Sequence, residues 1–237
     1  MKHLRLFLAA LCATLVAACD EGNIPEKQPT LAAGRPIRLD CRLSGIGQWG
    51  EGYSVVLALF GDDNDGYDIS QFRIMPECDG RDTTIIWELQ DASARTLEVC
   101  LVSALRERIV TFAATDIPEG TDTIRLAAND IDVGLWATTL AIFNQSCVRC
   151  HGEGQAAQLF LDPERAYASL VGHPAHRAEF GGASRVVPGD AQASVLHQML
   201  DETIDNARDL GVNHKAMFRA TYPLNIIDLW INSLTNE

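Results

Sequence analysis

One stretch of this 237-residue chain dominates its interpretation: Cys147-Val148-Arg149-Cys150-His151. On a helix, residues three and four positions apart lie on the same face. The two thiols and the imidazole are therefore expected to project from one side of a helical turn. Thiols are nucleophiles and imidazole is a common metal ligand. The pattern predicts that the two thiols and the imidazole of one helical turn bind the same metal-containing ligand.

The spacing C-x-x-C-H is that of covalent haem c attachment. In such a site the two thiols form thioether bonds to the porphyrin edge and the histidine binds the iron. A chance occurrence or a zinc site is the alternative, but a structural zinc site takes about four protein ligands. Neither a second C-x-x-C nor an H-x-x-x-H follows in this sequence. We therefore predict one covalent haem c held by Cys147, Cys150 and His151.

Residues 1–18 have the features of an export signal. Lys2 and Arg5 make the start positive, and the apolar stretch that follows is too short to span a bilayer. It ends in Val-Ala-Ala before Cys19, which resembles the lipobox of bacterial lipoproteins. The resemblance implies cleavage before Cys19 and lipidation of this residue, and an ordinary signal peptide followed by a chance cysteine is the alternative. The polar, proline-containing stretch 19–34 is predicted to be a lipidated tether.

The chain is acidic, with 32 acidic and 19 basic residues and a formal net charge of −13. A surface this acidic repels nucleic acid, so no nucleic-acid partner is expected. No later segment reaches the run of about 18 apolar residues typical of a membrane-spanning helix. With the export signal, these features predict a protein on the periplasmic face of a bacterial membrane, anchored by the lipid on Cys19. Haem c is attached in that compartment, so the two predictions agree.

The first half shows the patterns of β-strands. Apolar and polar residues alternate over 37–43, as in a half-buried strand. Further candidates are alternating or continuous apolar runs between turn signals, at 53–60, 85–89, 97–101, 109–112 and 124–126. Several short strands with this spacing predict an antiparallel, all-β, sandwich-like domain. We place this domain at 35–130.

Cys41, Cys78 and Cys100 lie in this half. Disulfides are common outside the cytoplasm, but three cysteines cannot all pair within one domain. The sequence does not select the partners, and the remaining thiol is expected to be buried and unreactive.

The second half shows helical periodicity. Helical spacing starts near Leu135 and continues into Cys147. Pro223 suits the first turn of a last helix. The apolar face of that helix consists of Ile226, Ile227, Trp230 and Leu234. Two more helices are expected in between, over 162–172 and 190–211.

This arrangement resembles class I cytochromes c. In that family the first helix crosses the last helix, and each helix has an aromatic residue. The aromatic of the first helix lies four positions before the first haem cysteine and is Phe143 here. The aromatic of the last helix is Trp230 here. The segment 185–190, Arg-Val-Val-Pro-Gly-Asp, is similar to one in cytochrome-like domains of environmental bacteria. The resemblance implies an all-α, cytochrome c-like haem domain over 135–237. The predicted fold is therefore two domains, the first all-β and the second all-α.

The second axial ligand of the iron decides whether small molecules bind and influences the reduction potential. In the family it is a methionine before the last helix, often followed by proline, and the resemblance implies Met217. Here Phe218 follows instead, and Met217 lies only 13 residues before Trp230. His214 is the alternative ligand and would give two histidines and a lower potential. An open iron site is the third possibility.

Two functional classes follow from these features. The first is a monohaem electron carrier that exchanges single electrons with an extracytoplasmic redox protein or a membrane oxidoreductase. The second is a binding or assembly module, in which the large β domain recognises a partner or glycan and the haem domain is an electron outlet or sensor. An enzyme such as a peroxidase ranks third, because it needs an open iron and a distal base. We predict an electron-transfer protein rather than a substrate-turning enzyme.

Overall fold

The computed structural model describes nine stretches of the chain. They are residues 35–60, 71–75, 78–89, 96–116, 123–125, 130–153, 156–201, 213–218 and 221–235. The predicted export signal, the tether and the predicted lipidation site Cys19 lie outside the described residues. Within the nine stretches, no helix is long and apolar enough to cross a membrane.

The strands of the described residues form three sheets. In chain order they are β1 (Arg35–Cys41), β2 (Leu43–Ser44), β3 (Tyr53–Phe60), β4 (Gln71–Ile74), β5 (Thr83–Leu89), β6 (Thr96–Ser103), β7 (Arg108–Asp116), β8 (Thr123–Arg125) and β9 (Ile131–Asp132). The largest sheet has the order β4-β3-β6-β7, and its neighbours all pair antiparallel. A second sheet has the order β5-β1-β8, and a third consists of β2 and β9.

The second half contains short helices joined by turns. They are α1 (Leu135–Ser146), α2 (Val148–His151), α3 (Ala166–Leu170), α4 (Val195–Leu200) and α5 (Tyr222–Ser233). Short 3-10 turns cover Ala178–Phe180 and Lys215–Met217. Pro223 lies in the first turn of α5, where its missing N–H costs no helical hydrogen bond.

Strand β6 lies inside the largest sheet and is buried on both faces. Leu97, Val99 and Leu101 face the main hydrophobic core. Cys100 and Val102 belong to a separate small cluster. Successive side chains of a strand point to opposite faces. The sequence of β6 therefore indicates which side chains share a face, but it does not show that the second face is buried as well.

The predicted fold class was wrong. It paired an all-β antiparallel sandwich with an all-α, cytochrome c-like second half. Strand β1 pairs in parallel with β8, and β2 pairs in parallel with β9, so the first half is not a purely antiparallel sandwich. The second half is not all-α, because β-bridges join Val171 to Val186 and Pro174 to Ser184. The described residues form a mixed structure of five short helices and several small sheets.

Two physical features explain this difference. Alternation of apolar and polar residues shows which side chains face the core, but it does not depend on whether the neighbouring strand is parallel. Between α3 and α4, Pro174 and Pro188 introduce residues that cannot donate a backbone hydrogen bond. That part of the chain turns repeatedly, and helix α3 is shorter than the helix predicted over 162–172. Helix α4 begins at Val195 rather than at Asp190, and residues 202–211 of the second predicted helix lie outside the described residues.

One hydrophobic core joins the two halves. Leu57 of β3, Phe143 of α1 and Trp230 of α5 belong to the same buried cluster. The domain boundaries at 35–130 and 135–237 stay a prediction, but residues on both sides of them share this core.

The start of helix α1 is held by the loop that follows β2. The indole N–H of Trp49 donates to Thr138 Oγ1 at 3.1 Å in a buried hydrogen bond. The side-chain oxygen of Gln48 accepts from the first helical N–H at 3.0 Å. Gly45 packs so closely that a Cβ on it would lie 2.6 Å from the Cα of Gly134. These contacts set the direction in which α1 leaves the sheets.

The structure separates the three cysteines of the first half. The thiols of Cys41 and Cys78 are hydrogen-bonded to each other, and both belong to the main core. The segments that carry them are also joined, since the N–H of Gly80 donates to the carbonyl of Leu43 at 2.7 Å. Cys100 lies in the separate cluster on the other face of β6. Cys41, Cys78 and Cys100 are all free thiols in this structure, and the contact between the first two favours them as the pair.

We expect Cys41 and Cys78 to form a disulfide when the chain folds with molecular oxygen or a protein disulfide as the oxidant. The two thiols together lose two protons and two electrons, and the oxidant takes up the electrons. Burial raises the pKa of the Cys41 thiol to about 12, so the bond should form before the core closes. Peptide mapping without reductant should show this bridge, and reducing it should lower the free energy of unfolding by about 3 kcal/mol.

Cys100→Ser is the matched control and should keep the bridge. A bridge between Cys100 and either other cysteine would contradict the expected pairing.

Candidate functional site

Cys147 lies between helices α1 and α2. Its backbone N–H donates to the carbonyl of Phe143 at 2.7 Å. Its carbonyl accepts from the N–H groups of Cys150 at 3.1 Å and His151 at 3.0 Å. One nearly continuous helical path therefore carries the motif, and all three predicted side chains open onto one cavity.

The cavity has a volume of about 560 Å³, which is within the range of small-molecule and cofactor sites. Its wall is mainly apolar, with side chains from α1, α3, α4 and the loop after α2. They include Phe143, Leu159, Leu161, Leu170, Leu196 and Met199. Such a wall favours a large apolar ligand, because enclosing the ligand removes apolar surface from water.

His151 is oriented by the loop that follows helix α2. Its Nδ1 lies 3.2 Å from the carbonyl oxygen of Ala156, and a carbonyl only accepts, so Nδ1 carries the proton. Burial lowers the pKa of His151, and hydrogen bonds to backbone carbonyls partly oppose that shift. The neutral form of the imidazole is therefore favoured, and with the proton on Nδ1 the lone pair is on Nε2. Metal-bound histidines generally donate their second nitrogen to such an acceptor.

The two thiols of the motif differ in exposure. Cys150 is exposed, whereas Cys147 is partly buried. Burial raises the pKa of the Cys147 thiol to about 12, and the neighbouring Cys150 adds to the shift. A bare metal cation binds thiolates rather than neutral thiols.

Both candidates for the second axial ligand line the same cavity. The ring centres of His151 and His214 are 6.4 Å apart, with 34° between the ring planes. A bond between a metal and a histidine nitrogen is about 2 Å long, so two imidazoles with centres this close could both reach one ion. Met217 is 50% exposed. The separation favours His214, and Met217 as a ligand stays a sequence-based prediction.

These residues fit the predicted haem. A neutral histidine with its Nδ1 already bonded, two thiols one helical turn apart and a second histidine at a suitable distance all border one apolar cavity. The donor set therefore agrees with covalent haem chemistry as well as with the motif spacing.

Arg185 lines the cavity but was not a predicted site residue. Its Nη1 donates to the carbonyl of Ser169 at 2.8 Å and to the hydroxyl of the same residue at 3.1 Å. Its Nη2 donates to the carbonyls of Ala157 at 3.3 Å and Gln158 at 3.2 Å. The sequence signal was its place at the start of the Arg-Val-Val-Pro-Gly-Asp segment. The fold brings it beside the loop that orients His151.

The other described histidines have different surroundings. His173 and His176 are exposed, the latter at the cavity. His197 is buried and joins α4 to α5, since its Nδ1 lies 2.8 Å from Asp228 Oδ1. Its Nε2 lies 3.2 Å from a carboxylate oxygen of Asp201. Burial raises the pKa of Asp228, and His197 opposes that shift. His197 therefore links two helices outside the cavity wall.

No family model matches the chain, and comparison with curated proteins and with solved structures gave no significant match. Within the described ranges, no three His, Cys, Asp or Glu side chains are grouped to hold a metal ion by themselves. The function is argued below from the site of this chain alone.

Replacing His197 with alanine should lower the free energy of unfolding by about 1–3 kcal/mol, because the partly buried Asp228 loses a hydrogen-bond donor. Urea denaturation checks this value. His173→Ala, at an exposed histidine, is the control and should have little effect. Unchanged stability in His197→Ala would show that this link does not support the fold.

Proposed function

We propose that the chain is an electron carrier that holds one haem c through Cys147, Cys150 and His151. The observation that carries the proposal is the meeting of these three side chains at one apolar cavity, with His151 already oriented through Nδ1. This arrangement combines two covalent attachment points with one metal ligand.

The residues of the motif divide the work of binding. Cys147 and Cys150 would hold the haem covalently, each through a thioether bond. His151 binds the iron through Nε2. When bound, haem supplies an iron that changes its charge by one electron. The apolar wall keeps water from the site and supplies a low-dielectric environment.

His214 would be the second iron ligand in this proposal, because its ring lies near that of His151 at the same cavity. Two histidines give a lower reduction potential than a histidine and a methionine. They also leave no open position on the iron, which favours electron transfer over the peroxidase alternative.

The proposed location is the periplasmic face of a bacterial membrane, with the lipid anchor on Cys19. The proposed partner is an extracytoplasmic redox protein or a membrane oxidoreductase. The net charge of −13 suits a partner with a basic docking surface, since complementary charge speeds association. The alternative function as a binding or assembly module stays a prediction.

The chain expressed with a haem-attachment system should retain its pigment in acidified acetone. The Cys147→Ala/Cys150→Ala double variant should lose essentially all of it, since no thioether remains. Cys100→Ala is the control, because this buried thiol lies in the separate cluster. A colourless wild-type protein, or pigment released by acid from the wild type, would refute the proposed function.

The two axial candidates make opposite predictions for carbon monoxide binding to the ferrous protein. His214→Ala should open the iron and allow rapid binding, whereas Met217→Ala should leave it closed. Absorption spectra with and without carbon monoxide distinguish these outcomes. Rapid binding only in Met217→Ala, with loss of the far-red ferric band of sulfur ligation, would assign the position to Met217.

A further inference from the structure

The loop 156–158 has an unfavourable backbone conformation. Ala157 has a φ of 55° and Gln158 a φ of 50°, in the left-handed region that residues with a Cβ rarely adopt. Two such residues in succession persist only when surrounding contacts hold them. The carbonyl of Ala156, at the start of this loop, accepts the hydrogen bond from His151 Nδ1.

Arg185 supplies the contacts that hold the loop. Nη2 of its guanidinium donates to the carbonyls of Ala157 and Gln158, and Nη1 donates to Ser169 in helix α3. The hydroxyl of Ser169 also accepts from the N–H of Phe160 at 3.0 Å. Ser169 is therefore linked to the loop through Arg185 and to Phe160 by a direct hydrogen bond.

The electrostatics of Arg185 support a holding role. All four acceptors of its hydrogen bonds are neutral oxygens. Burial lowers the pKa of Arg185, but arginine stays charged at neutral pH. Hydrogen bonds from a charged donor are about twice as strong as those between neutral groups. A charged fork is therefore an effective clamp for backbone carbonyls.

We infer that Arg185 is a positioning residue for His151. It fixes the loop 156–158 and thereby the carbonyl of Ala156, which keeps the proton of His151 on Nδ1 and the lone pair on Nε2. The effect on redox chemistry rests on the proposed function, whereas the clamp itself does not. A hydrogen bond at Nδ1 makes Nε2 a stronger metal ligand, which favours ferric iron and lowers the reduction potential.

The test is Arg185→Lys, which keeps the charge but replaces the five-donor fork with a single ammonium group. Arg108→Lys is the matched control, because it makes the same change at a half-buried arginine that pairs with Glu98 at 2.9 Å in the first half. If Arg185 acted only through its charge, the lysine variant would behave like the wild type.

The first measurement uses the full chain without haem. In Arg185→Lys we expect the amide protons of residues 159–161 to exchange about tenfold faster, because hydrogen bonds that fix the loop are lost. Nitrogen NMR of the His151 ring should change from one tautomer, protonated at Nδ1, to a mixture. Arg108→Lys should leave both readouts unchanged. Unchanged exchange or an unchanged tautomer in Arg185→Lys would overturn the inference, whether or not the protein binds haem.

The second measurement uses the haem-loaded protein. Arg185→Lys should shift the reduction potential to a more positive value, and Arg108→Lys should not. An unchanged potential in Arg185→Lys would overturn the role of Arg185 in tuning the iron. If the wild type carries no haem, the proposed function fails, and the haem-free measurement still decides whether Arg185 positions His151.

Discussion

Helix α1 packs against both helix α5 and strand β7, and the position of the candidate site depends on this packing. Phe143 and Trp230 are almost fully buried in the shared core. The motif begins at the residue that follows α1, so the orientation of this helix decides where its thiols and imidazole lie. An edge-to-face contact between Tyr53 and Tyr222, with ring centroids 6.2 Å apart, adds a link between β3 and α5.

The site places a few polar groups in an otherwise apolar cavity. His151 is neutral because burial disfavours its charged form, and a neutral imidazole is the form that binds metals. The carbonyl of Ala156 fixes which nitrogen is protonated. The charged guanidinium of Arg185 donates hydrogen bonds to the carbonyls of Ala157 and Gln158 in the loop. His151, the carbonyl of Ala156 and Arg185 thus each have a defined partner, as preorganised sites require.

Sequence patterns predicted the local elements well and the architecture poorly. The apolar run at 53–60 is strand β3, and Pro223 opens helix α5. Both features depend on neighbouring residues in the chain. The parallel pairing of β1 with β8, and the bridges between Val171 and Val186, depend on partners far along the chain. Periodicity contains no information about such partners, so the predicted fold class, an antiparallel sandwich followed by an all-α second half, was wrong.

The candidate site divides in the same way. The amino-acid sequence alone was enough to place Cys147, Cys150 and His151 on one side of a helical turn, because helical geometry fixes the relation between residues three and four apart. Only the tertiary structure placed the ring centres of His214 and His151 6.4 Å apart. It also placed Arg185 next to Gln158, which lies 27 residues earlier in the chain. These relations come from the packing of helices and turns around a common core, and side-chain packing over such distances along the chain has no local sequence signature.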